Sequence, residues 1–387
     1  MMRLGSDPEI EKFRAELGQF LDEHLPSAGE ATQIPTSSAH LPEWARTWQR
    51  TMYDHGWLLP MQPPEFGGRN ATLPQLLAYQ EELSQRRVYH SFNPQGVGII
   101  AASIISFGTQ EQKKKWAIPL LRAEMAGALG MSEPGAGSDL AGLKTRATLD
   151  GDHFVVTGQK VWTSGAHHAD LILTFVRTDP DAPKHKGISV LIIPTDTPGV
   201  TRRPFPNMTE PDDVDFNEVF FDGARVPREN LLGELNKGWA VANGSLGHER
   251  TMLWVSYAER LENLIRDSPS DGEWFATLQM DAQALRLMGY QQLSATLNGT
   301  ANPAATSVLK LFGSEAVQRG SLNALEEHGE QALVHPTLTA QHTHMQLDAF
   351  IASWFERYAR SFPGTIAGGT SEIHRNIIAE RILGLPR

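Results

Sequence analysis

Glu249 stands where a carboxylate is costly. Around SLGHERTM (residues 245–252), Trp239, Ala242, Leu246, Leu253 and Tyr257 recur at spacings of three and four, the period of one helix face. Glu249 falls in that series, between Leu246 and Leu253. An ionised carboxylate on an apolar face needs an ion pair, a proton or a chemical task such as general-base catalysis. Arg250 is a poor partner for it, because adjacent residues on a helix do not face each other.

GMSEPGAGSD (residues 130–139) is the second candidate. It is glycine-rich, but strand-like sequence follows where a dinucleotide fingerprint would open a helix. Two readings stay open. The segment is a tight interdomain turn in which Gly135 and Gly137 supply backbone freedom. Alternatively it is a backbone surface for a flat or phosphorylated ligand, with Ser132 and Ser138 as hydroxyl donors. The chain holds no GxxxxGK[ST] phosphate loop, no GxSxG nucleophile elbow and no HExxH. His342 and His344 are spaced onto different helix faces, and His167-His168 reads as a polar rim, so no metal site is expected.

The elements that must carry these residues follow from pattern. With 387 residues, 40% hydrophobic and 20% charged, the chain has the balance of a soluble globular protein of two or three domains. Acidic residues outnumber basic ones 45 to 34, for a net charge of -11, and the one basic block is Lys113–Lys115. Nucleic acid and anionic membrane are therefore not expected as main partners. The chain has no cysteine, which excludes disulfides and thiolate chemistry. MMRLGSDPEIEKFRAEL reads as a starting helix rather than a signal peptide, and GVGIIAASIISFG (residues 96–108) is too short to span a bilayer. A cytoplasmic location is the expectation.

EIEKFRAELGQFLDEHL, PEWARTWQRTMYDHGW and LPQLLAYQEELSQR carry helical periodicity. From about residue 143 to 222 short β-rich runs replace it: KTRATLD, HFVVTGQKVW, DLILTFVRT, GISVLIIP and FNEVFF, with Asp150-Gly151 as a hairpin signal. Too little helix separates them for a parallel βαβ sheet, so an antiparallel sheet or barrel is expected. Helical periodicity then returns and holds nearly to the end. The expected domains are residues 1–125, 126–235 and 236–387.

Several motifs in order now identify a resemblance. FGTQEQKKKWAIPLL, GMSEPGAGSDLAG, GQKVWTSGAHHADL and IAGGTSEIHRNIIAERILGL resemble the motifs of the acyl-CoA dehydrogenase family over essentially the whole chain. The resemblance implies an α+β fold of an N-terminal α-helical domain, a central β-barrel and a C-terminal four-helix bundle. It also implies non-covalent FAD, an acyl-CoA substrate, and oxidation of the thioester to a trans-2-enoyl-CoA. An electron-transfer flavoprotein is the implied acceptor.

Carried over by motif, the residues implied at FAD are Met131, Ser132, Gly137, Ser138, Trp162, Thr163, Ser164, Thr370 and Glu372. The carboxylate that many members carry just before the last Gly-Thr is replaced by Ala367 and Gly368. Glu249 matches the base position of a minority, including isovaleryl- and long-chain-type enzymes, which favours branched, long or bulky acyl groups. Ser138, Arg250, Gly368 and Gly369 match substrate-side positions, with the Gly368 N–H implied at the thioester oxygen.

Two family elements are absent. No R-x-x-F-G motif follows the first C-terminal helix, and LNALEEHGEQALVH, with only Gly329, stands in place of a GG-x-G segment. A heteromer with a paralogous subunit and a homo-oligomer that binds FAD by other residues both satisfy this. Within the fold, a flavin oxidase or monooxygenase and a non-catalytic partner subunit are the rival readings.

Overall fold

The computed structural model describes residues 7–27, 30–31, 33, 35–207, 214–333 and 353–386, and only the backbone of 243, 245–251 and 333. The order is helices, strands, helices. The three helical-period segments form α1 (Pro8–His24), α2 (Glu43–Asp54) and α3 (Leu73–Arg86). A reciprocal cap starts α3: Thr72 Oγ1 accepts the Gln75 N–H at 3.4 Å, and Gln75 Oε1 accepts the Thr72 N–H at 2.8 Å. A π-helical turn over Gly96–Ala101 runs into α4 (Ala102–Phe107), followed by α5 (Gln110–Gln112) and α6 (Ile118–Leu121). No helix among the described residues is long and apolar enough to cross a membrane.

The strands are β1 (Gly127–Gly130), β2 (Arg146–Asp150), β3 (His153–Lys160), β4 (Leu171–Arg177), β5 (Ile188–Pro194), β6 (Val200–Phe205), β7 (Phe216–Pro227) and β8 (Leu231–Leu232). They form one sheet in the order β6-β7-β3-β2-β4-β5-β8, with β1 beside β4. Its pairs are antiparallel except β1 with β4 and a single contact, Arg146 with Arg177, between β2 and β4. Apart from β1, the sheet is thus two antiparallel wings joined at that contact. Asp150 pairs with His153 across Gly151 and Asp152, and Gly151 takes φ +61°, as a two-residue hairpin loop requires. β1, β6 and β8 escape sequence reading: β1 and β8 are short, and β6 is a polar run containing Pro204. GALG has little β propensity and is a strand only through its parallel register with Leu171–Thr174. β4 and β5 are buried along both faces, which explains their unbroken apolar runs.

After the sheet come α7 (Gly238–Asp267), α8 (Glu273–Leu297), α9 (Ala305–His328), α10 (Trp354–Ala359), α11 (Phe362–Ile366) and α12 (Ser371–Arg381). Glycines let the long helices approach closely. A Cβ at Gly289 of α8 would lie 2.3 Å from the Trp254 ring, and one at Gly313 of α9 would lie 2.9 Å from Tyr257. Leu261, Leu285 and Ala316 are the fully buried centre of this core.

The chain divides into two compact units. One comprises His24–Ala71 and His90–Gly247, with α2, α4 to α6 and the whole sheet. The other comprises Met1–Glu23, Thr72–Tyr89 and His248–Arg387, so α1 and α3 join the C-terminal helices. The division falls inside α7, between Gly247 and His248.

Candidate active site

In the sheet unit, GMSEPGAGSD leaves β1 and folds back on itself, Glu133 and Ala136 exchanging backbone hydrogen bonds of 2.9 and 3.0 Å. Met131 and Ser132 are half-buried, while Gly137 and Ser138 are exposed. Gly135 and Gly137 differ from the turn reading: neither has positive φ, and a Cβ on either would meet nothing within 4 Å. Backbone freedom is therefore not why glycine stands there. What their lack of a side chain leaves is an unobstructed outer surface.

The end of β3 is laced to this loop. The Val161 N–H donates to the Ser132 carbonyl at 2.9 Å. Lys160, fully buried, donates from Nζ to the Met131 carbonyl at 3.0 Å and to Glu133 Oε1 at 2.8 Å. The Glu133 carboxylate also accepts the N–H groups of Lys144 at 2.7 Å and Thr145 at 2.9 Å. Burial pushes the Glu133 carboxyl up, but Lys160 and these N–H groups outweigh it and hold it below its ordinary value. Burial pulls the Lys160 ammonium down to about 8, against the attraction of Glu133.

Trp162 follows in the left-handed region at φ +60°, rare for a bulky residue, and is 59% exposed. Its ring meets Phe205 and Phe216 edge-on at 5.2 and 5.3 Å. Thr163 turns inward. Its side chain is fully buried, its hydroxyl has no hydrogen-bond partner among the described residues, and its N–H and carbonyl are both taken by Asn217. Ser164 is half-buried, and Gly165, at φ +69°, donates to the Asp215 carbonyl at 2.7 Å. The structure thus brings Met131, Ser132, Trp162, Thr163 and Ser164 onto one strand end.

His168 stacks on His40 with ring centroids 4.8 Å apart and meets His167 in a tilted contact at 4.2 Å. His40 Nδ1 accepts the Thr36 N–H, the Ser37 hydroxyl is hydrogen-bonded to His168 Nδ1, and the Asn217 side-chain amide lies at His167 Nδ1. Burial, then the neighbouring His167, His40 and Arg202, pull His168 down to about 4. Among the described residues no group of three or more ligating side chains could hold a metal ion. His342 and His344 lie outside the described residues.

In the helical unit, Gly368 (φ +69°) and Gly369 (φ +106°) form the turn before α12, and Thr370 Oγ1 caps that helix by accepting the Ile373 N–H at 3.2 Å. Lys310 donates to the Gly369 carbonyl at 2.6 Å, and His374 Nε2 lies 3.2 Å from the Gly368 carbonyl. Glu372 is exposed and pairs with Arg375 at 2.6 Å. Gly329, left over from the missing GG-x-G element, ends α9 at φ +54°. α7 is continuous through Glu249 and Arg250, whose side chains are outside the described residues. A desolvated carboxyl on that helix is Glu259, raised above its ordinary value by burial, with Oε1 enclosed and without a hydrogen-bond partner among the described residues. It faces a cavity of about 50 Å³ bordered by Glu81, Trp254, Glu262, Arg266 and Arg286.

Sequence reasoning missed Glu133, Lys160, Asn217, Lys310 and His374. Lys160 was recoverable, because it shares strand parity with the inward-facing Phe154 and Val156. The others owe their roles to residues far away in sequence, which no local pattern reports.

Residues 7–124, 128–224 and 236–383 match the N-terminal, middle and C-terminal domains of acyl-CoA dehydrogenases, respectively. The chain belongs to the acyl-CoA dehydrogenase family, FAD-dependent oxidoreductases acting on acyl-CoA. It is 32% identical to the acyl-CoA dehydrogenase IpdE1 of Mycobacterium tuberculosis, over 98% of both chains. Among solved structures it is similar to the Tcur3481-Tcur3483 steroid ACAD, with TM-score 0.80 and 30% identity over 100% of both chains. The ChsE4-ChsE5 complex from Mycobacterium tuberculosis is similar too, at TM-score 0.78 and 30% identity over 100% of both chains.

Proposed function

We propose that this chain catalyses the α,β-dehydrogenation of an acyl-CoA thioester with a branched, long or bulky acyl group, with Glu249 as the base. The observation that carries the reading is the exposed Trp162, held in a strained conformation beside Ser132 and Ser164. Strain of about 1–3 kcal/mol at one residue persists where surrounding structure enforces it, and such residues cluster at functional sites. An open aromatic face beside a backbone N–H and several hydroxyls suits a flat ring with a polar edge. The Ser132 N–H is taken by no acceptor among the described residues.

In this reading Met131, Ser132, Gly137, Ser138, Trp162, Thr163 and Ser164 form the isoalloxazine side of the FAD site, and Thr370 and Glu372 are the other residues proposed as FAD contacts. Bound FAD supplies the hydride acceptor for the substrate's β-carbon. Glu249 takes the α-proton, and the Gly368 N–H, in a turn fixed by Lys310 and His374, polarises the thioester oxygen. Ser138, Arg250 and Gly369 line the substrate side. An electron-transfer flavoprotein would be the electron acceptor, in the cytoplasm. The solved relatives described as a steroid ACAD and as a two-component complex support a bulky acyl group and a paralogous partner subunit. A homo-oligomer is the competing assembly.

The test is an anaerobic visible-absorption titration of the purified protein with a panel of acyl-CoAs. Bleaching of bound flavin by one of them is expected. Colourless protein that stays inert with added FAD would overturn catalysis by this chain alone and turn the search to a partner subunit. Rapid reoxidation by air would instead favour an oxidase.

A further inference from the structure

Lys160 and Glu133 are buried far beyond what a surface ion pair requires, with side-chain exposures of 0% and 7%. Neither can be accounted for by the other alone. Glu133 is already fixed by the N–H groups of Lys144 and Thr145, so its carboxylate forms a rigid socket independent of Lys160. The socket sets the ammonium position, and the second acceptor there is the Met131 carbonyl, 3.0 Å away. That carbonyl belongs to the peptide whose N–H is Ser132's. A cation on a peptide oxygen draws electron density from the amide and strengthens its N–H as a donor. The next peptide is held too, because the Ser132 carbonyl accepts the Val161 N–H at 2.9 Å. The Ser132 N–H itself has no acceptor among the described residues. A polarised donor is thus presented by an immobilised loop, on the open surface beside Trp162.

We propose that the buried Lys160–Glu133 pair is a positioning and tuning device for the flavin, its ammonium polarising the Met131–Ser132 peptide so that the Ser132 N–H favours the electron-rich, reduced ring. This rests on the reading that Met131 and Ser132 line the isoalloxazine. Lys160 touches neither cofactor nor substrate and acts through the peptide. Glu133 keeps the ammonium in place and keeps a buried cation paired.

The test compares the holoprotein with Lys160→Met and with the neutral double variant Lys160→Met/Glu133→Gln. In the double variant both charges are gone, so it folds even where an unpaired buried Glu133 unfolds the single one. The readouts are the dissociation constants of oxidised and reduced FAD and the two-electron potential, with the melting temperature of the apoprotein as the fold control. The expected result is a loss of about tenfold in the preference for reduced over oxidised flavin, equivalent to about 30 mV for a two-electron couple. A double variant that folds but no longer retains FAD also supports the positioning role. Variants that bind FAD with an unchanged preference overturn it and leave the pair a structural strut. Wild-type protein that binds no FAD fails the underlying reading instead, and the two failures are distinguishable.

Discussion

Asn217 holds the backbone of Thr163 from both directions: its carbonyl accepts the Thr163 N–H at 3.1 Å, and its side-chain amide donates to the Thr163 carbonyl at 3.1 Å. Asn217 is fully buried, so no water replaces a lost bond. Asn217→Ala should lower apoprotein stability by about 1–3 kcal/mol, the cost of an orphaned buried polar group, measured by urea denaturation. FAD affinity should fall with it, since Trp162 loses its anchor. A variant as stable as wild type would show that the reciprocal pair is incidental.

Trp162 should display a trade between stability and binding. Glycine accepts φ +60° freely, so Trp162→Gly relieves strain while losing two edge contacts of about 0.5–1.5 kcal/mol each. Apoprotein stability should therefore stay within about 1 kcal/mol of wild type, because strain relief is of similar size. FAD affinity should drop by more than tenfold, roughly the share of about 1.4 kcal/mol of ring stacking. Unchanged affinity would remove Trp162 from the cofactor site.

Glu249→Gln tests the base. General-base removal costs about 10²–10⁴-fold in rate, so acyl-CoA should still bind within a few-fold while flavin bleaching slows by that factor in stopped-flow absorbance. Full-speed bleaching would send the search for the base elsewhere.

The histidine cluster gives acid sensitivity. His168 titrates at about 4 in the fold, pulled down by burial and then by His167, His40 and Arg202, with Asp215 opposing, against about 6.5 unfolded. The unfolded chain therefore binds more protons between those values, and stability is lost as pH falls from about 6.5 toward about 4. Melting temperatures should fall less between pH 6.5 and 5 in His168→Gln than in wild type. Parallel curves would mean that the cluster does not titrate on unfolding.

Glu259 predicts the opposite sign. Burial raises its carboxyl in the fold, so the folded chain binds more protons and stability is lost as pH rises above the ordinary carboxyl range. Glu259→Gln should stabilise the protein at pH 7, and the gain should shrink as pH falls toward 4.5. A loss of stability at pH 7 would reveal a partner for the charged form.

Much of this molecule is written locally in its sequence. Helical period over α1 to α3, the β-rich runs of β2 to β5 and the start of β7, and the Asp150-Gly151 hairpin follow from the two side-chain periodicities and turn chemistry. The motif set identified the family. The sequence could not say that glycine at Gly135 and Gly137 has no conformational role, because that depends on φ and on empty space around each.

Tertiary structure alone decided what holds the site. Lys160 meets Glu133 across 27 positions, Asn217 meets Thr163 across 54, and Lys310 reaches Gly369 across 59. Such pairs stabilise the fold only once long loops are closed, so they leave no periodic signature in the chain. Strand β1 is of the same kind, a GALG segment made a strand by Leu171–Thr174. Local patterns named the elements and the chemistry they could carry. Burial and distant hydrogen bonds, which the chain acquires only on folding, fixed which polar atoms face inward as struts and which remain open to a ligand.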